Sequence, residues 1–380
     1  MHAFAPDDLS AALVRLSDPS SPAALCHLSA AVTADGWLEE KETESIWPGQ
    51  RFSLKLKAGT RMLHEERSEF QHLQVLDSSH YGRVLVLDGV IQLTERDEFA
   101  YQEMIVHLPM FAHANPRNVL IVGGGDGGVL REVLRHPGVE RVVMCEIDRK
   151  VCEVSRKFFA DTMAVEFDDP SSDVEAKRTK DKRARLLYMD AAVFMAQNVN
   201  EFDVIIVDSS DPVGPAETLY TSDFYANMKR ALRPGGIVCT QGECQFLSEE
   251  LIHKVMGDAR DLYAVVDYAY STVPTYPCGQ IGYIMAKKEG GAGSGSLRVA
   301  QRPVPAEMAL RLRYYTAAMH RAAFVLPAFM ARKLGALRPA QDEKSLTVGG
   351  AAASGGSSVV ATAAALVVGA ACGWLLAKRR

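Results

Sequence analysis

From Trp37 to Thr94 the chain consists of short stretches in which apolar and polar residues alternate, separated by turn residues. Alternation over a few residues is typical of strands with one buried face. The clearest stretches are 51–57, 71–76 and 83–87. The last ends in Asp88-Gly89, a dipeptide typical of a two-residue hairpin turn. This pattern predicts a small antiparallel β domain.

After Pro116 the pattern changes to apolar strands separated by helical periodicity. The predicted strands are 118–122, 141–147, 185–188, 202–207 and 236–240. Strands that alternate with helices predict an α/β domain with a mostly parallel, doubly wound sheet, whose ligands bind at the carboxyl ends of the strands. A charged, turn-rich stretch at 168–183 interrupts this order, and we predict that it is a solvated loop.

Residues 359–377 form a 19-residue run without a charge, followed by Lys378-Arg379-Arg380. As a helix this run would span roughly 28 Å, which is close to the thickness of one bilayer core. It predicts a single C-terminal transmembrane helix that acts as a tail anchor. The alternative is a disordered tail rich in alanine and glycine. We divide the chain into an N-terminal extension, a small β domain, a Rossmann-like catalytic domain, a linker and the anchor, at residues 1–35, 36–100, 101–335, 336–358 and 359–377.

Composition narrows the function classes. Charged residues make up 23% of the chain and the formal net charge is −5, which argues against nucleic acid as a partner, because phosphate binding needs a basic surface. The seven cysteines include no C-x-x-C pair, so the spacing indicates neither a zinc site nor a redox motif. Such a set is typical of reduced thiols in the cytoplasm.

A glycine-rich loop follows the strand at 118–122. It reads Gly-Gly-Gly-Asp-Gly-Gly from Gly123 to Gly128 and leads into a helical run, while Glu146 ends the next strand. Glycines allow a tight turn and close approach of a ligand, and an acid at the second strand end commonly binds ribose hydroxyls. The pattern predicts a nucleoside site. It also fits a nicotinamide enzyme, but Asp126 would repel a pyrophosphate at the helix N-terminus.

Five acids end the predicted parallel strands: Asp126, Glu146, Asp190, Asp208 and Asp211. A single acid at a strand end is often only a helix or turn cap. Five of them at one sheet edge predict a strongly negative pocket. Such a pocket suits two cationic ligands, a sulfonium nucleoside and a diamine.

The chain also resembles the spermidine synthase family over residues 36–335. The resemblance is carried by Trp47-Pro48-Gly49, the stretch LVLDGVIQLTERDEFAYQEM at 85–104, Cys145-Glu146-Ile147-Asp148, Asp208-Ser209-Ser210-Asp211-Pro212, Cys239-Thr240-Gln241-Gly242-Glu243, Pro274-Thr275-Tyr276-Pro277 and the C-terminal segment 314–327. It implies a small β domain, a seven-stranded Rossmann-like sheet of the methyltransferase type and a homodimer. It also implies that an aminopropyl group passes from decarboxylated S-adenosylmethionine to putrescine, giving spermidine and methylthioadenosine.

The resemblance implies roles for individual residues, with the donor as a co-substrate, no further cofactor and no metal. The donor site would comprise Gln71, Gly123, Gly125, Asp126, Glu146, Asp190 and Ala191. The acceptor site would comprise Tyr101, Gln102, Asp208, Asp211, Gln241 and Tyr276. Ala191 departs from the family pattern, which commonly has glycine there, so a backbone with positive φ would be strained at this position.

Only a free amine can attack the donor, and putrescine is protonated near neutral pH, so a base must remove one proton. We assign that role to Asp208, aided by Tyr101, with Asp211 holding the distant ammonium. Two alternatives stay open from the sequence. One is a putrescine N-methyltransferase that uses ordinary S-adenosylmethionine, and the other is a non-catalytic paralogue tethered to a membrane.

Overall fold

The computed structural model describes residues 31–40, 49–59, 62–167, 176–209, 219–291 and 295–336. The N-terminal part contains two antiparallel sheets. One has three strands, β1 (Ala31–Val32), β2 (Trp37–Glu39) and β3 (Ser53–Lys55). The other has four strands in chain order, β4 (His64–Arg67), β5 (His72–Asp77), β6 (Arg83–Leu87) and β7 (Val90–Thr94). An isolated bridge between Leu56 and Ser78 joins the two sheets. The predicted small antiparallel β domain is confirmed.

The turn between β6 and β7 shows how the local sequence produces this sheet. Asp88 and Gly89 both have positive φ, 47° and 83°. Positive φ at both central residues is the requirement of a type I′ turn, whose twist matches that of the paired strands. The hairpin predicted from Asp88-Gly89 is therefore present.

The central sheet contains eight strands in the order β10-β11-β9-β8-β12-β13-β15-β14. Their bounds are β8 (Asn118–Gly123), β9 (Arg141–Glu146), β10 (Ala176–Arg178), β11 (Ala184–Tyr188), β12 (Phe202–Asp208), β13 (Leu232–Gln241), β14 (Val265–Thr272) and β15 (Gln280–Lys287). The strands β11, β9, β8, β12 and β13 are parallel to one another, and β15 and β14 continue the sheet in antiparallel pairing. The predicted doubly wound sheet of the methyltransferase type is confirmed, with one short additional edge strand.

Helices cover both faces of this sheet. They are α1 (Glu98–Ala112), α2 (Gly128–Leu134), α3 (Arg149–Phe158), α4 (Ala191–Ala196), α5 (Ser222–Ala231), α6 (Glu249–Leu262), α7 (Ala306–Ala309), α8 (Ala317–Ala322) and α9 (Ala328–Lys333). Successive residues of a strand point to opposite faces. In β8, Val119 and Ile121 therefore join the core beneath α1 and α2, whereas Leu120 and Val122 join the core beneath α4, α5 and α6. The near-continuous apolar runs in the sequence reflect this burial on both faces.

The interpretation of 168–183 as a solvated loop is wrong for residues 176–178, because β10 pairs antiparallel with β11, from Ala176 opposite Leu187 to Arg178 opposite Arg185. Residues 179–183 form no helix or strand, and 168–175 lie outside the described residues. Backbone pairing at a sheet edge does not require apolar side chains, so a charged stretch concealed the strand. The predicted transmembrane run at 359–377 lies outside the described residues. Within the described part of the chain, no helix combines the length and the hydropathy needed to cross a bilayer.

Candidate active site

A cleft lies at the carboxyl ends of the parallel strands. The β6–β7 hairpin forms one of its walls, and the strand ends and the loops that follow them form the others. Its lining includes six acidic residues, Asp88, Asp126, Glu146, Asp190, Asp208 and Glu243, and none of the described residues that line it is a lysine, arginine or histidine. The cleft is therefore a region of negative potential with no cationic side chain on its wall.

The glycine loop allows the strand ends to approach one another closely. Gly123 has a φ of 76°, and a Cβ at this position would lie 2.1 Å from the carbonyl oxygen of Asp208. A Cβ at Gly125 would lie 2.9 Å from Oε2 of Glu146. Any side chain at either position would displace an acidic residue of the cleft. Both glycines line the cleft, and their part in donor binding stays a prediction.

Asp126 lies within this loop, and its carboxylate accepts three hydrogen bonds. Its Oδ1 accepts a hydrogen bond from the backbone N–H of Gly128 at 2.6 Å, and Nε2 of Gln102 donates to both carboxylate oxygens, at 3.1 and 3.2 Å. Burial nevertheless raises the pKa of Asp126, against the opposing effects of these donors and of Arg131. Gln102 is buried and does not line the cleft, so its contact is with Asp126.

Glu146 ends β9. Its Oε1 accepts from the backbone N–H of Asp148 at 2.8 Å, and burial raises its pKa to about 7. Asp148 in turn caps α3 by accepting from the backbone N–H of Lys150, and Nε2 of Gln71 donates to it at 2.8 Å. Glu146 and Gln71 are thus linked through Asp148 and both line the cleft, and their part in nucleoside binding stays a prediction.

Asp208 ends β12 in the middle of the acidic group. Tyr101 donates its hydroxyl to Oδ1 at 2.7 Å, while the buried Oδ2 has no hydrogen-bond partner among the described residues. Burial, and then the charge of Asp126, raise the pKa of Asp208 well above its usual range. Burial and Asp208 also raise the pKa of the Tyr101 phenol, so this hydroxyl keeps its proton and acts as a donor.

The Asp190-Ala191 pair opens α4. Oδ1 of Asp190 accepts from the backbone N–H of Ala192 at 2.7 Å, so Asp190 is a helix N-cap as well as a residue of the cleft wall. Ala191 is the first residue of the helix and is not among the described non-glycine residues with positive φ. Alanine is therefore accommodated here without backbone strain.

Gln241 and Tyr276 lie on the opposite side of the cleft. Gln241 accepts from the hydroxyl of Tyr220 at 3.0 Å and donates from Nε2 to Glu243 at 3.1 Å. The hydroxyl of Tyr276 donates to the carbonyl oxygen of Gln92 at 2.9 Å, which ties its loop to the β6–β7 hairpin.

The remaining predicted residue, Asp211, lies outside the described residues. Sequence reasoning missed Glu243, which lines the cleft and is only 4% exposed. It was present in the motif Cys239-Thr240-Gln241-Gly242-Glu243, and its position directly after the last parallel strand was the signal that could have identified it.

Two family models match most of the chain. Residues 98–293 match the spermine/spermidine synthase domain, and residues 36–95 match the spermidine synthase tetramerisation domain. The second match coincides with the antiparallel β region, and the first contains most of the central sheet and the cleft.

Curated relatives resemble the chain over most of its length. It is 47% identical over 300 residues to a spermidine synthase from Dictyostelium discoideum, which covers 79% of this chain and 98% of the relative. It is 42% identical over 331 residues to a spermine synthase from Arabidopsis thaliana, which covers 83% of this chain and 87% of that relative.

Solved structures give the same result. A spermidine synthase in complex with the transition-state analogue AdoDATO superposes with a TM-score of 0.67 at 31% identity, covering 81% of this chain and 98% of that one. The spermidine synthase from Thermotoga maritima superposes with the same TM-score and identity, covering 97% of its chain. The chain therefore belongs to the spermidine synthase family and is an aminopropyltransferase.

Proposed function

We propose that this protein is a spermidine synthase that transfers the aminopropyl group of decarboxylated S-adenosylmethionine to putrescine, with release of methylthioadenosine. The observation that carries the proposal is the cleft with six acids and no cationic side chain among its described lining residues. Both substrates are cations at neutral pH, and each would relieve the repulsion among these carboxylates.

The donor would occupy the side of the cleft formed by the glycine loop and the ends of β9 and β11. Glu146 would accept the ribose hydroxyls, and Asp190 would accept the adenine amine with the oxygen that does not cap α4. Asp126 would receive the terminal ammonium of the aminopropyl group. Gln71 and Ala191 would border the nucleoside, because both line this side of the cleft.

The acceptor would bind between Tyr101, Gln241 and Tyr276, with its attacking amine at Asp208. Oδ2 has no hydrogen-bond partner among the described residues, so it would accept an N–H of this amine. The raised pKa of Asp208 makes it a stronger base than an ordinary aspartate. Removal of one proton frees the lone pair, which attacks the methylene carbon bonded to the sulfonium in line with the departing sulfur.

Positioning would supply the rest of the acceleration. Asp211 is proposed to hold the distant ammonium, and Glu243 is a further carboxylate that lines the cleft. Gln102 would act by orienting Asp126. The sulfonium is already an activated electrophile, so this mechanism includes no cofactor.

The closest alternative is a putrescine N-methyltransferase, whose donor carries an additional carboxylate. Asp126 would face that carboxylate, and the repulsion favours the decarboxylated donor. The test is to incubate the purified full chain with putrescine and each donor separately, and to identify products by mass. We expect spermidine from the decarboxylated donor. N-methylputrescine as the main product would overturn the assignment, and the absence of any product would favour the non-catalytic alternative.

Acceptor length is a separate question, because one relative is named a spermine synthase. We propose putrescine as the main acceptor, since more of the similar relatives are named spermidine synthases. Competition between equimolar putrescine and spermidine in one reaction measures the preference directly. A larger specificity constant for spermidine would assign the longer acceptor.

We also propose self-association through residues 36–95. The family resemblance implies a homodimer, whereas the matched domain is described as a tetramerisation domain. Light scattering on the full chain separates these assemblies by mass. A monomer at micromolar concentration would contradict both.

For location, we propose a cytoplasmic catalytic part with residues 359–377 as a tail anchor. The five described cysteines are all free thiols, which fits a reducing compartment. Fluorescent fusions with and without residues 357–380 test the anchor. A diffuse distribution of both fusions would count against it.

A further inference from the structure

Two loops meet at the edge of the cleft. The first follows β13 and carries Glu243 and Cys244, and the second precedes β15 and carries Tyr276 and Cys278. They are joined where the backbone N–H of Gly282 donates to the carbonyl oxygen of Glu243 at 2.8 Å. The side chains of Gln245 and Gln280 form a second link, at 2.6 Å.

These loops bring two thiols together. Cys244 is 2% exposed and lines the cleft, whereas Cys278 is exposed to solvent. The thiol of Cys278 is near enough to that of Cys244 to affect its pKa, and Sγ of Cys278 lies 3.4 Å from Oε1 of Gln50. Because Cys278 is exposed and Cys244 is buried, Cys278 is the thiol that a dissolved oxidant reaches first. Burial raises the pKa of Cys244 to about 11.

The backbone holds Cys278 in this position. Its φ is 55°, a left-handed conformation that few non-glycine residues adopt. Glu243, which precedes Cys244, has a φ of 60°. Cys278 itself and the residue before Cys244 therefore both adopt a left-handed backbone conformation.

We propose that Cys244 and Cys278 form a reversible disulfide under oxidation by peroxide, and that this bond lowers the turnover of the enzyme. The thiolate of Cys278 attacks one oxygen of hydrogen peroxide, which gives a sulfenic acid and releases the other oxygen as water. Cys244 then attacks this sulfur, the S–S bond forms and a second water leaves with the proton of Cys244. The two thiols lose two electrons, the peroxide gains them, and a dithiol reductant reverses the change.

The effect on turnover follows from the neighbours of the pair. Cys244 and Pro277 line the cleft beside Glu243 and Tyr276. A covalent bond is shorter than a contact between two thiols, so closure pulls the loops together and displaces the side chains of the acceptor site. A displacement of about 1 Å from the reactive geometry lowers turnover by about a hundredfold.

The test uses the full chain with Cys26 and Cys372, which lie outside the described residues, replaced by serine. The protein is treated with hydrogen peroxide, and its tryptic peptides are mapped by mass spectrometry before and after reduction. We expect a Cys244–Cys278 linked pair and a fall in spermidine formation that dithiothreitol reverses. Cys278→Ser is the matched variant, and it should keep its basal turnover and show no reversible loss.

Peptide mapping does not depend on the proposed function, whereas the turnover readout rests on it, so failure of one is distinguishable from failure of the other. Treated protein without the linked pair would overturn the proposal. It would also be overturned if the bond formed without a change in turnover, or if Cys278→Ser lost activity reversibly to the same extent. Cys152→Ser is a control that removes a buried thiol away from the cleft wall.

Discussion

Two groups of buried acids differ in whether positively charged side chains contact them. In the cleft, one oxygen of Asp208 accepts from the phenol of Tyr101, and the other has no partner in the part of the chain that the structure describes. The charged residue that most affects the pKa of Asp208 is another acid, Asp126. On α2, Glu132 is contacted by Arg131, Arg135 and His107. The acids of the first group repel one another, whereas the negative charge of Glu132 is compensated by its neighbours.

Glu98 lies in the same cluster, and its carboxylate receives two hydrogen bonds from Arg131, at 2.8 and 3.1 Å, but burial still raises its pKa. Burial alone would raise the pKa of Glu132, but His107, Arg131 and Arg135 together outweigh burial, so the net shift of this pKa is downward. In Asp208 nothing outweighs burial. This fold can therefore neutralise a buried acid, yet none of the described residues that line the cleft does so, and the compensating positive charge comes from the substrates.

The largest expected effect comes from Asp208→Asn, which removes the proposed base and keeps the shape of the side chain. Turnover should fall by about 10²–10⁴-fold, the usual contribution of a positioned general base. Because ionisation of Asp208 is unfavourable in the unliganded protein, thermal stability should stay the same or rise. Steady-state kinetics and thermal unfolding measure the two quantities. Asp161→Asn, an exposed acid, is the control, and turnover within a factor of about two of the wild type would remove Asp208 from the mechanism.

Removing a charged residue from the compensated group should instead lower the stability of the protein. Arg131→Met leaves two buried carboxylates, Glu98 and Glu132, without their shared partner, and should lower the free energy of unfolding by about 3–5 kcal/mol. Arg117→Met breaks the exposed pair with Glu140 and should cost less than about 1 kcal/mol. Denaturant unfolding of both variants gives the difference. Equal losses would show that the buried network is no better coupled than a surface pair.

The pH dependence of stability tests Glu146. Its folded pKa of about 7 lies above the ordinary value of 4.5, so the folded state binds the proton more tightly than the unfolded state does. Below pH 4.5 the group does not change the free energy of unfolding. Between pH 4.5 and about 7 the free energy of unfolding falls as the pH rises, and above this range it is lower by about 3 kcal/mol. Glu146→Gln should remove that slope. If wild type and variant unfold with the same pH dependence, Glu146 titrates normally.

Much of the acidic cleft could be predicted from the sequence, because apolar runs indicate the parallel strands and the acids follow at their ends. Asp126, Glu146 and Asp208 meet in the cleft for that reason. Glu243 stands two residues after the last parallel strand, which the sequence shows, but its left-handed backbone, with a φ of 60°, is not visible in the sequence. Gln102 was predicted at the acceptor, which stays a prediction, and its contact with Asp126 could not be predicted, because the rotation of α1 about its axis depends on packing.

The smallest expected effect comes from Tyr101→Phe. The hydroxyl of Tyr101 lowers the pKa of Asp208 against the opposing effects of burial and Asp126, so its loss should raise that pKa further. A larger fraction of Asp208 then carries a proton at neutral pH, and the acidic limb of the kcat/KM profile moves to higher pH. We expect about a tenfold loss at neutral pH, in line with one hydrogen bond to a charged group, that diminishes as the pH rises. Tyr81→Phe, outside the cleft, is the matched control. A loss that is uniform across the pH range would mean that Tyr101 positions the acceptor and does not control the protonation of Asp208.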